Sequence, residues 1–163
     1  MAEAGTLHDA FIDELRDTYD AERQLTKALT KLAKAARAPE LREAFSTHLE
    51  ETKGQIERLE QVFESLDEKV RGKHCDGIAG IIEEGKSIME EFKGTIALDA
   101  GLISAGQAVE HYEMARYGTL ATWADQLGMK DAANLLRATL AEEEATDQKL
   151  TQLAVGEANR KAA

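Results

Sequence analysis

The chain reads as a succession of apolar seams at helical spacing. From about Thr6 to about Ala36, the row Phe11, Leu15, Thr18, Leu25, Leu29 and Leu32 steps by threes and fours with one interruption, the period of a single helix face. Thr6 is the predicted N-cap, with Asp9 three residues on to close a capping box. Pro39 opens a second helix at its first turn, where a missing N–H costs nothing. Its seam is Leu41, Phe45, His48, Thr52, Leu59, Phe63 and Leu66. The charged stretch Asp67 to Cys75 lacks periodicity and reads as a loop. A shorter helix follows over about Asp76 to Phe92, with Asp76 as N-cap and Ile78, Ile81, Ile82, Ile88 and Met89 as its apolar residues. Gly94 is expected to end it and Thr95 to cap the next helix, which runs to Leu127 before Gly128 through Leu102, Gly106, Tyr117, Leu120 and Ala124. The last helix spans about Lys130 to Glu157, with Leu136, Leu140, Leu150 and Ala154 inward and a frayed polar tail after Gly156.

Four long helices with seams of this spacing predict an all-α fold, an antiparallel four-helix bundle over residues 1–163 as one domain. The loop and short helix between the second and third long helices form one connection long enough to cross the bundle from end to end. A single crossover of that kind is the ferritin-like topology. A short echo, His48-Leu49-Glu50-Glu51 against Leu140-Ala141-Glu142-Glu143, with Gln55 and Asp147 four residues beyond, suits a bundle made of two related helix pairs.

Composition narrows the function classes. The net charge is −11, from 31 acids against 20 bases, which repels nucleic acid and anionic membrane surfaces. Arg160 and Lys161 alone make too short a basic tail to coat DNA. Cys75 is the single cysteine, so no internal disulfide forms and a reducing, cytoplasmic setting is expected. Met1 to Leu7 has neither the basic nor the apolar region of a secretory signal, and no run approaches the roughly 18 apolar residues of a membrane span.

Acids interrupt the seams. Glu22 sits in the first apolar row, seven residues from both Leu15 and Leu29. Glu110 and Glu113 lie on the stripe of the third long helix, Glu143 and Asp147 between Leu140 and Leu150 on the fourth, and Glu51 beside the row of His48, Thr52 and Gln55 on the second. Each interruption falls near a helix middle, and in an antiparallel bundle the middles meet at one level. One such acid can arise by chance in an acid-rich chain, or snorkel to water. Four helices interrupted at one level point to a shared site. Desolvating several carboxylates costs several kcal/mol each, and like charges add repulsion, so cations are needed. Two metal ions bridged by carboxylates resolve the conflict, and oxygen ligands suit iron or manganese as well as magnesium or calcium. Glu22, Glu51, Glu110, Glu113, Glu143 and Asp147 are the predicted ligands, with His48 and Gln55 as weaker candidates. Tyr19 and Tyr117 are expected to hydrogen-bond to these acids, Cys75 to be a small buried residue, and His8, His74 and His111 to lie at the surface.

Several runs carry a family likeness. Glu110-His111-Tyr112-Glu113-Met114-Ala115-Arg116-Tyr117-Gly118-Thr119-Leu120 resembles the YciE/YciF family of bacterial ferritin-like stress proteins. So do His48 through Glu60, Tyr19 through Leu25, and Cys75 followed by Gly77, Gly80, Ile81, Ile82 and Glu83. The resemblance extends from about Leu7 to Lys161. It implies a ferritin-like bundle, a homodimer and a di-metal site presumed to hold iron. Glu22 and the Glu110/Glu113 pair fit the rubrerythrin-like arrangement. The wider pattern has Glu-x-x-His on the second and fourth long helices, whereas here Gly54 follows Glu51 and Thr146 follows Glu143 at that spacing. Two functions follow as expectations. One is a stress protein whose iron or manganese pair handles peroxide, oxygen or iron, with oxidase- or peroxidase-type turnover. The other is a non-enzymatic dimer that binds a partner and keeps an empty or vestigial site. Apolar residues on the short helix, Ile81 and Ile88, together with Phe92 and Trp123, are the expected dimer surface.

Overall fold

The computed structural model describes residues 5–163, and every regular element among them is helical. Residues 1–4, which include most of the segment tested for a secretory signal, lie outside the described residues. The elements are α1 (Leu7–Ala35), α2 (Pro39–Ser65), α3 (Asp76–Glu91), α4 (Leu98–Gln126) and α5 (Lys130–Leu153). A π-helical turn (Ala154–Ala158) and a last helical turn, α6 (Asn159–Ala162), follow. The tail expected to fray is therefore helical almost to its end. No helix among the described residues is long and apolar enough to cross a membrane.

The helix starts show how local chemistry meets tertiary structure. Thr6 caps α1 as anticipated: the Asp9 amide donates to Thr6 Oγ1 at 3.1 Å, and the Thr6 amide donates to Asp9 Oδ2 at 3.2 Å. At α2 no neighbouring side chain caps Ala38; Asp99 of α4 accepts instead from the Arg37 and Ala38 amides, each at 2.8 Å. The N-cap of α3 is Cys75 rather than Asp76, because the thiol sulfur turns back to accept from the Ile78 amide. Helix α4 begins at Leu98 and not at Thr95, whose hydroxyl donates backwards to the Phe92 carbonyl.

Helix α1 packs on α2, α2 on α5, α5 on α4 and α4 on α1, which closes a ring of four; α3 lies against α4 and α1. The buried apolar residues divide into two main groups. One holds Phe11, Leu15, Leu59, Val62, Phe63, Tyr117, Leu120, Ala133 and Leu136. The other holds Leu29, Leu32, Leu41, Phe45, Leu98, Leu102, Ile103 and Leu150. Helices α1 and α5 pass from the first group to the second, and α2 and α4 pass from the second to the first. Neighbours in the ring are thus antiparallel, and the segment 66–97 returns the chain from one apolar group to the other before α4 starts. A smaller cluster, Ala21, Leu25, Cys75, Ile78 and Val109, seats α3 on α1 and α4. Between the two main groups, all four long helices bury polar side chains: Glu22; His48, Thr52 and Gln55; Glu110 and Glu113; Thr139 and Glu143.

Candidate metal centre

The polar layer follows from the seams. On α1, positions 11, 15, 18, 22, 25, 29 and 32 are all buried, so Glu22 faces inward because its register is that of its apolar neighbours. On α2 the inward row is 45, 48, 52, 55 and 59, which carries His48, Thr52 and Gln55 inside and leaves Glu51 to one side. Glu110 and Glu113 share the inner face of α4, and Glu143 lies on that of α5.

His48, Glu110, Glu113 and Glu143 each present a ligand atom, and these atoms all lie within 4.8 Å of one another. The His48 Nε2 atom is 3.0 Å from Glu110 Oε1 and 3.5 Å from Glu143 Oε2. The contact with Glu110 is short but off the ring's N–H direction, so Nε2 has no aligned hydrogen-bond partner. Both oxygens of Glu113 and of Glu143, Glu110 Oε2 and Glu22 Oε2 are likewise buried without a partner. Glu22 Oε1 accepts a very short hydrogen bond from the Tyr117 hydroxyl. The amide nitrogen of Gln55 donates to Glu142 Oε2 at 3.0 Å, which turns Gln55 Oε1 the other way, buried and unpaired. Glu142 is in turn held by both terminal nitrogens of Arg58, at 2.6 and 2.7 Å.

The electrostatics match the geometry. Burial, followed by the fields of neighbouring carboxylates, pushes Glu113 and Glu143 well above the usual carboxylate range. Burial also raises Glu22 to about 7, although the Tyr117 hydroxyl and Glu113 partly offset it. Burial alone would lower His48; the acceptor carboxylates Glu110, Glu51 and Glu143 outweigh it and hold the imidazole well above its ordinary value. Such a layer of unpaired donors to a cation, closed between two apolar cores, has the chemistry to hold metal.

Of the residues expected at this site, the structure brings together Glu110, Glu113 and Glu143 with His48, and sets Glu22 against Glu113; Gln55 is buried, with its amide held by Glu142. Glu51 and Asp147 stand outside. Glu51 keeps 36% of its side chain exposed and lies 3.4 Å from the outer ring nitrogen of His48. Asp147 turns to Gln107 and His111 on α4, each contact at 3.2 Å. Tyr117 reaches the cluster, whereas Tyr19 donates to Glu60 and packs edge-on against Phe63, away from it. Cys75 is fully buried, with its sulfur 3.2 Å from the Tyr112 hydroxyl. His74 and His111 are exposed, as is His8. Sequence reasoning passed over the brace of Arg58 and Glu142, whose only signal was a base on α2 next to the seam at Gln55 and Leu59. It also gave no role to the Thr146 hydroxyl, which lies 3.3 Å from His48 Nδ1.

Comparison with known proteins adds relatives of nearly equal length. Residues 6–163 match the family described as Domain of unknown function (DUF892). The chain is 53% identical over 158 residues to Protein YciF of Escherichia coli (strain K12), covering 96% of this chain and 95% of that protein. The crystal structure of that E. coli stress protein superposes with a TM-score of 0.90, covering 94% of this chain and 98% of the other. A putative structural protein from Rhodopseudomonas palustris, YcfI, is 44% identical with a TM-score of 0.89, covering 92% of this chain and 96% of its own. A protein of Xanthomonas campestris pv. campestris shares the fold alone, at 20% identity and a TM-score of 0.72, over 98% of this chain and 100% of its own.

Proposed function

The chain belongs to the family described as Domain of unknown function (DUF892), and from that premise we propose that it is a ferritin-like stress-response protein whose polar layer holds two iron or manganese ions. The observation that carries this reading is the set of buried, unpartnered oxygens, with one ring nitrogen, that four helices contribute at one level. Four buried carboxylates, Glu22, Glu110, Glu113 and Glu143, would balance two divalent cations with His48 neutral. Mostly oxygen donors with a single imidazole suit iron or manganese. The antiparallel ring with one end-to-end connection agrees with a ferritin-like bundle. The 53%-identical relative from E. coli is described as a stress protein, which supports the physiological setting.

Bound there, a redox metal would supply electron transfer to or from peroxide or oxygen. The protein's own part is preparation. Tyr117 fixes Glu22 through one oxygen and leaves the other free. Arg58 and Glu142 hold the Gln55 amide so that its oxygen is the atom left over. The apolar groups on either side keep bulk water from the layer. The same reading takes the chain as one domain, cytoplasmic and homodimeric. The half-buried Ile81, Ile82 and Met89, which line a groove between α1 and α3, support a dimer. The net charge of −11 argues against nucleic acid or an anionic membrane as partner.

Elemental analysis of protein purified without chelator or affinity metal tests the reading, with about two ions per chain expected. Glu110→Ala and Glu143→Ala should each lose metal; unchanged stoichiometry in both would sink the assignment. A second reading, a non-enzymatic dimer that acts by binding a partner, is favoured by Gly54 and Thr146 standing where the Glu-x-x-His pattern would place histidines. Full protection by metal-free variants in a cellular stress assay would select it.

A further inference from the structure

A site sealed between two apolar cores needs a way in, because a divalent cation cannot shed its water against hydrocarbon. It must exchange water for protein ligands step by step. The residue that gives such a path is one the cluster leaves out. Glu51 lies on α2 one position off the inward row, with 36% of its side chain in solvent. Its Oε2 is 3.4 Å from His48 Nδ1 and accepts from Thr146 Oγ1 at 3.4 Å. The His48 ring then spans the wall: its other nitrogen, buried and without an aligned partner, is 3.0 Å from Glu110 and 3.5 Å from Glu143. Solvent, Glu51, His48 and the buried carboxylates thus form one continuous line of metal-binding atoms.

We propose that Glu51 is a transit ligand, which captures a divalent cation at the surface and passes it by way of His48 to the buried carboxylates. Each hand-over exchanges one donor for another, any proton the incoming donor carried leaves to solvent, and the His48 ring turns to bring the ion from the Glu51 side to the carboxylate side; no electron moves. The charge state of the alternatives singles out Glu51. Glu142 also reaches the surface next to a cluster residue, Gln55, but Arg58 grips both its oxygens, and that guanidinium repels a cation. Asp147 contacts Gln107 and His111 rather than the cluster. Glu51 pairs with no lysine or arginine among the described residues; its one charge partner there is the His48 ring, which is itself part of the path.

This inference rests on the metal reading above, and the experiment separates the two. Metal-free full-length protein is mixed with cobalt(II) in a stopped-flow instrument. The rate is followed by visible absorption, and equilibrium content is measured after desalting. The variants are Glu51→Gln and, as a control, Glu50→Gln, which removes the same charge from an exposed neighbour that bonds to Lys53. The expected result is loading slowed by about tenfold or more in Glu51→Gln, with equilibrium content unchanged, and no effect in Glu50→Gln. Equal slowing in both variants would mean general attraction by an acidic surface and overturn the path. So would an unchanged rate in Glu51→Gln. Loss of equilibrium content in Glu51→Gln would make Glu51 a resident ligand, which also overturns the transit role. Wild-type protein that binds no cobalt at equilibrium would refute the metal reading itself, and the path with it.

Discussion

A carboxyl group enclosed by hydrocarbon and by other carboxyls keeps its proton, because the anion has neither water nor a cation to stabilise it. In the metal-free chain this applies to Glu113 and Glu143, both held well above the ordinary range, and to Glu22, raised to about 7. These side chains bind metal only as anions, so at neutral pH metal uptake must release protons. The sign follows: affinity rises with pH and falls as pH drops through 7. Isothermal titration with manganese(II) in two buffers of different ionisation enthalpy should report net proton release at pH 7, and identical heats in both buffers would contradict it. The same residues show what a one-dimensional pattern can reveal. Glu22, Glu110, Glu113 and Glu143 were legible because each falls on an apolar stripe. Glu51 and Glu143 match in the short echo, yet only Glu143 is buried. Glu51 sits one position ahead of Thr52, and one residue turns a helix by about 100°, enough to move a side chain from the interior to the rim. The ring of His48 could not be placed from its neighbours in sequence, since its partners Glu110 and Glu143 come from two other helices.

At the scale of the element, seam spacing located the long helices, while their ends depended on contacts the seams do not encode. The start of α2 is held by Asp99, some sixty positions away, through two 2.8 Å hydrogen bonds. Its register was visible from Pro39, but this anchor on the two amides before the first turn was not, because it is tertiary. Asp99→Ala should therefore destabilise the fold by about 1–2 kcal/mol, a typical cost for taking a charged acceptor from hydrogen-bonded amides. It should leave metal content unchanged, since Asp99 lies at the end of α4 remote from Glu110. Chemical denaturation beside elemental analysis checks both halves of that statement. Asp76 failed as the cap of α3 for a local reason. The thiol of Cys75 already takes the Ile78 amide, and this places Asp76 inside the helix.

For the whole molecule, the division of the interior matters more than any one helix. Each long helix runs through both apolar groups, and the polar layer lies between them. The ring of four was legible from the seams and from the length of the 66–97 connection. The split interior was visible only as acids interrupting the rows, and its sealing depends on how the rows face one another. A ligand that binds only the folded state stabilises it by mass action. At about a hundredfold excess over its dissociation constant, manganese should contribute about 2.7 kcal/mol, or about 5–10 °C in the melting midpoint of a chain this size. A thermal melt with and without metal reads that shift.

The split interior also bears on cooperativity. Without metal, the middle of the interior carries unpaired polar groups where the two ends carry apolar contacts, and only the smaller cluster under α3 runs beside it. The two ends are then joined chiefly by continuous helical backbone, a stiff but thin coupling. Melting of the metal-free chain should broaden, with its calorimetric enthalpy exceeding the van't Hoff value, as two partly independent cores come apart. Metal would act as a rivet through that seam, and the two cores would melt as one unit.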